Sequence, residues 1–148
     1  MALDVELVSP ERILFSGEAE MVVCRTFDGE IAFLTGHAPF LGALGIGIVR
    51  VHQVGGEVVR AAVHGGFVQV KDDKVIVLSD VAELPDQIDA ARARQSLEDA
   101  QRQLAAGGGA GTAGDEGEDA EAAANAQLQR AQVRLDLAGQ AEPAAARH

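Results

Sequence analysis

Tryptophan and tyrosine are absent from this sequence, and five phenylalanines are its only aromatic residues. Bases would find almost nothing to stack on. The formal net charge of −11, from 23 acidic and 12 basic side chains, also repels phosphate backbones, so nucleic acid is excluded as a partner. Anionic lipid headgroups are repelled for the same reason. The single cysteine, Cys24, cannot form an intrachain disulfide; it follows the apolar run Met21-Val22-Val23 and suits a reducing, cytosolic compartment. Long apolar runs are missing too. Gly, Arg, His or an acid interrupts every stretch well short of the ~20 residues a membrane helix requires, so no direct membrane insertion is expected. The segment Met1-Ala2-Leu3-Asp4-Val5-Glu6 carries acids where an export signal needs basic residues and an apolar stretch.

What is present divides the 148 residues in two. All five Phe (Phe15, Phe27, Phe33, Phe40, Phe67) and nearly all Val and Ile precede Pro85; beyond it only Ile88 and Val133 remain of the β-branched aliphatics, and Ala makes up about a third of the residues. The first part reads as sheet. Short apolar runs over 3–8, 13–15, 19–26, 30–34, 46–52, 57–63, 67–70 and 74–78 alternate with turn residues, among them Asp28-Gly29, Gly55-Gly56, Gly65-Gly66 and Asp72-Asp73. Runs this short leave no room for a crossover helix, so antiparallel pairing is favoured.

The second part reads as helix. Asp86 follows Pro85 as a cap, and Asp89 stands three residues on, where an acid complements the exposed amides. Ala90, Ala93, Leu97, Ala100 and Leu104 form an apolar seam that stops at Gly107; Ala124, Leu128, Ala131, Leu135 and Ala138 repeat it up to Gly139. The fold class is therefore α+β: an antiparallel β-sandwich over 1–84, then a two-helix hairpin over 85–139 with a Gly-rich acidic loop at about 107–117, and a frayed, disordered tail over 140–148. A seam made mostly of Ala buries little apolar area, so the hairpin is expected to be marginal alone and movable.

Catalytic signals are poor. The Ser and Thr residues lack a Gly-x-Ser-x-Gly elbow, Cys24 has no cation nearby except Arg25, and His37, His52 and His64 lack the close paired spacing of a metal site. Gly42, Gly45 and Gly47 are followed by no Lys-Ser/Thr and enter a strand, which is not a phosphate loop. No catalytic residue, no metal and no required cofactor is expected.

Three strings carry more information than periodicity: Val8-Ser9-Pro10-Glu11-Arg12; Leu14-Phe15-Ser16-Gly17-Glu18; and Asp28-Gly29-Glu30-Ile31-Ala32-Phe33-Leu34-Thr35-Gly36-His37-Ala38-Pro39. With Gly65-Gly66-Phe67-Val68-Gln69-Val70 and Lys74-Val75-Ile76-Val77-Leu78 in that order, the chain resembles the epsilon subunit of bacterial F-type ATP synthases. The resemblance implies a non-catalytic part of the central rotor stalk, at the cytoplasmic face of the cell membrane and held there peripherally through the complex. It implies a sandwich that binds the gamma subunit and the c-ring, with Gly36-His37-Ala38-Pro39 near those contacts. It also implies regulatory helices that either fold down or extend toward the catalytic beta and alpha subunits and impede ATP hydrolysis.

Some family members bind a regulatory ATP, and their signature resembles Ile88-Asp89-Ala90-Ala91-Arg92-Ala93, preceded by Glu83. Arg130 and Arg134 stand one helical turn apart and suit phosphate oxygens, so Glu83, Ile88, Asp89, Arg92, Ala93, Arg130 and Arg134 form the candidate nucleotide site. The bland alternative is that Arg92, Arg130 and Arg134 pair with Asp89, Asp99 and Asp136 on a solvated surface. Where ATP-binding relatives carry a further Arg, this chain has Asp99, with Arg102 the nearest substitute. Two readings from other classes stand beside this one: a free-standing β-sandwich ligand-binding module with a helical dimerisation hairpin, and a metal hydrolase using His37, His52 and His64.

Overall fold

The computed structural model describes residues 2–107 and 115–146. Leu3, Val5 and Leu7 alternate with Asp4, Glu6 and Val8, and the strand they form, β1 (Leu3–Val8), turns the first set into the core. It is followed by β2 (Ile13–Thr26), β3 (Gly29–Leu34), β4 (Phe40–Gln53), β5 (Val58–Lys71), β6 (Lys74–Leu78) and the two-residue β7 (Ala82–Glu83). The sheet runs β1-β6-β5-β4-β2 and closes on itself because β1 also pairs with β2; β3 extends β2 and β7 lies on β5.

Two expectations are corrected. Most pairings are antiparallel, but β1 and β6 run parallel, Val5 opposite Val75 and Leu7 opposite Val77. No crossover helix is needed there, because the intervening strands themselves carry the chain round the closed sheet. Runs taken as separate strands also merge: 13–15 with 19–26, and 57–63 with 67–70. The glycines between them bend long strands rather than ending them. Gly65 and Gly66 lie in β5 with φ of +88° and +125°, and an added Cβ at Gly66 would stand 2.1 Å from the Leu78 carbonyl oxygen.

The sandwich core joins Leu3, Leu7, Val22, Phe33, Val49, Val51, Val63, Val68 and Val77, all at 0% exposure. Each such side chain contributes roughly 1.5–3 kcal/mol relative to exposure, which makes this the stable part of the molecule. Cys24 lies in the same core, and burial pushes its thiol up from 9.0 to about 12, leaving it unreactive as a nucleophile.

The chain divides into two compact units between Gln87 and Ile88, and a 3-10 turn over Pro85–Gln87 closes back on Leu84 at the end of the first. The Leu84 N–H donates to Gln87 Oε1 at 2.9 Å, and the Gln87 N–H to the Leu84 carbonyl at 3.0 Å. Helix α1 (Ala90–Gly107) therefore starts later than expected, and Asp89 instead of Asp86 is its cap, accepting the Arg92 N–H at 3.1 Å. Helix α2 (Asp115–Ala146) continues past Gly139 through part of the segment expected to be frayed. Residues 108–114 of the expected Gly-rich loop, and 147–148 of the tail, lie outside the described residues. Ala93 and Ala100 of α1 and Ala124 and Ala131 of α2 are buried, with Leu97, Leu104, Leu128 and Leu135 partly so, as the seams predict. Leu137, outside that seam, is buried as well.

Candidate functional site

The outward faces of five neighbouring strands carry a row without charge. Register places Ile13 beside Val8, Val8 beside Leu78, Leu78 beside Phe67, and Phe67 beside Ala43. Val8 is half-buried and the others are exposed, Ile13 at 63% and Phe67 at 58%, while Leu41 extends the row along β4 at 72%. At a strand spacing of about 4.8 Å the row spans about 20 Å. A contiguous apolar band of that length on an otherwise acidic surface is the signature of a protein-binding face. Sequence reasoning missed it, although the signal was present: 67–68 and 77–78 are apolar at consecutive positions, which in a strand means apolar on both faces.

The segment joining β3 to β4 contains Gly36-His37-Ala38-Pro39. The His37 ring meets Phe33 edge-on at 4.9 Å and Phe40 at 6.4 Å, and its Nδ1 lies 2.7 Å from the Ala38 carbonyl oxygen, so that nitrogen carries the proton. The His37 N–H donates to the Leu34 carbonyl at 3.1 Å, and the Gly36 N–H donates to Asp73 Oδ1 at 2.7 Å. Gly36 has φ +85°, which its lack of a Cβ permits. The loop thus has a fixed shape, and Leu34, Ala38 and Pro39 present apolar surface to solvent.

Of the candidate nucleotide residues, Glu83 belongs to the sandwich unit. Its Oε1 lies 2.9 Å from Nε2 of His64, whose side chain is only 2% exposed, so this pair fastens β7 onto β5. The remaining six lie in the helical unit. Gln127 Nε2 donates to the Ser96 carbonyl and hydroxyl oxygens, each at 3.1 Å, which fixes the register of the two helices of the hairpin at that level. One turn from this latch α1 reaches Arg92 and Ala93, and α2 reaches Arg130 and Ala131. The structure therefore brings Arg92 and Arg130 to one level of the hairpin, both exposed, with Arg134 half-buried a turn further along α2. Ala93 is packed in the seam at 3% exposure, and Ile88 is half-buried just before the Asp89 cap. Asp99 pairs with Arg102 and accepts from Gln95 Nε2 at 3.1 Å. Among the described residues no carboxylate forms an ion pair with Arg92 or Arg130. Also among the described residues, no helix is long and apolar enough to cross a membrane, and no group of three or more His, Cys, Asp or Glu gathers as for a metal.

Residues 2–85 match the family model described as the beta-sandwich domain of the ATP synthase Delta/Epsilon chain. The chain is 50% identical over 96 residues, 65% of its length and 77% of the relative's, to an ATP synthase epsilon chain of Streptomyces avermitilis. It is 50% identical over 105 residues, 68% of its length and 76% of the relative's, to one from Thermobifida fusca. A third, from Brevibacillus brevis, is 43% identical over 102 residues, 69% of this chain and 77% of that one. Among solved structures, a chain in the cryo-EM structure of the Euglena gracilis mitochondrial ATP synthase (OSCP/F1/c-ring, rotational state 1) superposes with a TM-score of 0.75. That match covers 93% of this chain and 81% of the other at 21% identity, which is a likeness of fold.

Proposed function

This chain belongs to the epsilon-chain family of ATP synthases, and from that premise we propose that it is a non-catalytic stalk subunit whose sandwich joins the gamma subunit to the membrane-embedded c-ring. The apolar band carries this reading. It is wide enough for a partner subunit, it is uncharged, and it belongs to the unit with the stable core. The gamma subunit covers the band, and the braced Gly36–Pro39 loop reaches the ring. The complex holds the subunit at the cytoplasmic face of the membrane, a task the chain's own acidic surface does not perform.

Regulation falls to the helical unit. Its Ala-rich seam gives it little to lose on rearrangement, so it alternates between a folded hairpin and an extended form that reaches the catalytic beta and alpha subunits and impedes ATP hydrolysis. ATP is the ligand that favours the hairpin, with Arg92, Arg130 and Arg134 taking the phosphates at one end, Asp89 fixing the start of α1, and Ile88 and Ala93 shaping the wall. Glu83 serves its pairing with His64. Extended helices would insert sterically, because acids outnumber bases in this half of the chain and bulk attraction to an acidic partner is weak.

Replacing Leu41 and Phe67 together by Ser removes the two large exposed side chains that the band carries on β4 and β5, and gamma affinity should fall at least about tenfold while the fold survives. Unchanged affinity, measured by surface plasmon resonance, puts the interface elsewhere. Titrating ATP into the full chain should shift the amide resonances around Arg92, Arg130 and Arg134, and Arg92→Ala should abolish the response; silence at millimolar ATP ends the nucleotide reading.

A further inference from the structure

Lys71-Asp72-Asp73-Lys74 makes a two-residue hairpin, with Lys71 paired to Lys74 and both aspartates at positive φ, 51° and 59°. Such a turn requires two residues that tolerate the left-handed region; glycine and asparagine serve as well as aspartate, so the turn alone does not call for a carboxylate. Asp73 uses its carboxylate elsewhere. Its backbone carbonyl accepts the Asp4 N–H at 2.9 Å, which anchors the turn to β1, and its Oδ1 accepts the Gly36 N–H at 2.7 Å, 37 residues away in sequence. The length is that of a charge-assisted hydrogen bond.

From this geometry we infer that Asp73 is the positioning residue of the Gly36–Pro39 loop, holding it in its docking shape before its partner arrives. The loop is fixed from two sides. Phe33, His37 and Phe40 bracket it from within, by ring contacts at 4.9 and 5.5 Å, and Asp73 holds its first residue, Gly36, from the neighbouring hairpin. Without the second support, Gly36 would sample several conformations, and ordering it would be charged against binding. Pre-ordering presents Leu34, Ala38 and Pro39 as one apolar edge. The occupant of that edge is the c-ring; this part of the inference rests on the function proposed above.

Two substitutions separate the roles of Asp73. Asp73→Gly keeps the backbone freedom the turn needs and removes the acceptor; Asp73→Asn keeps both the left-handed tolerance and an acceptor oxygen. Two measurements on the full chain are paired: amide hydrogen exchange at Gly36, and association with purified gamma–c-ring assemblies. In Asp73→Gly the Gly36 amide should exchange about tenfold faster and ring association should weaken by a similar factor. Asp73→Asn should restore most of both. Unaltered exchange in Asp73→Gly shows that no such tether exists, and faster exchange with undiminished association shows that docking ignores the loop's shape; either overturns the inference. A wild-type chain that fails to associate with the assemblies while its Gly36 amide is protected refutes the proposed partner and leaves the tether standing.

Discussion

A methyl group added at Gly66 would stand 2.1 Å from the Leu78 carbonyl oxygen and 2.8 Å from the Ser79 Cα, on a backbone with φ +125°. Both obstacles are backbone atoms of the packed sandwich, and the Ser79 hydroxyl, 2.6 Å from the Gly65 carbonyl oxygen, helps to hold them there. Gly66→Ala should therefore lower the free energy of unfolding by roughly 3 kcal/mol or more. At Gly29 the backbone is also left-handed, with φ +118°, but no atom lies within 4 Å of an added Cβ. Gly29→Ala should lose only about 1 kcal/mol. Urea titrations of the two variants measure the difference, and equal losses would show that backbone conformation alone governs both sites. Cys24 offers a test through pH. An unfolded chain releases the thiol proton near the ordinary value of 9.0, whereas the folded chain holds it to about 12. Between those values the folded state binds more protons, so stability falls as pH rises, by at most about 1.4 kcal/mol per pH unit, and below that window the thiol has no effect. Cys24→Val should flatten the decline in urea midpoint between pH 9 and 10.5, and an identical slope in both proteins rules the thiol out as its source.

Helix α1 owes its start to one carboxylate, because Asp89 accepts the Arg92 N–H and the Ala93 N–H bonds to the Asp89 carbonyl at 3.0 Å. Asp89→Ala should destabilise the helical unit by about 1 kcal/mol, while Asp89→Asn should be nearly neutral. Thermal melts of the helix signal by circular dichroism distinguish them, and equal melts for Ala and Asn would remove capping as the cause. This cap shows where sequence reading loses resolution. Asp86 and Asp89 both satisfy the pattern of a cap before an Ala-rich run; what separates them is the 3-10 turn that Gln87 closes onto Leu84 by reaching back three residues to its N–H, half of a capping box whose other half a leucine cannot supply. In the sandwich, alternation placed Leu3, Val5 and Leu7 inside correctly, and Asp28-Gly29 and Asp72-Asp73 do form turns. Gly17, Gly65 and Gly66 misled, because the same residue that ends a strand also bends one, and closure of the sheet is a property of all its strands together. The site divides similarly. The Gly36–Pro39 loop stood out by its string of residues, but its tether to Asp73 crosses 37 positions and becomes visible only once β4 and β5 lie side by side, with Phe40 opposite Val70.

The whole molecule joins a unit cored by leucine, valine and phenylalanine to one whose helices meet mostly through alanine. Every residue of the sandwich core lies between Leu3 and Val77, whereas among the described residues the buried helix positions are Ala93, Ala100, Ala124, Ala131 and Leu137. Leucine and valine bury several times the apolar area that alanine does, so the first unit carries its own stability and the second gains comparatively little from folding as a hairpin. A chain ending at Gln87 should consequently fold cooperatively, keep the apolar band and the Gly36–Pro39 loop, and bind gamma with the affinity of the full chain. The cut belongs there and not after Glu83, because Gln87 and Leu84 close each other's backbone groups and Leu84 packs against the core. Ending at Glu83 should lower the urea midpoint relative to ending at Gln87. In the assembled enzyme, the shorter subunit should sustain proton-driven ATP synthesis and release any restraint on ATP hydrolysis, because the restraining arm is gone while the coupling platform remains. Retained inhibition would assign the restraint to the sandwich, and loss of gamma binding would show that the helices form part of the interface; each outcome redraws the division of labour at the junction between Gln87 and Ile88.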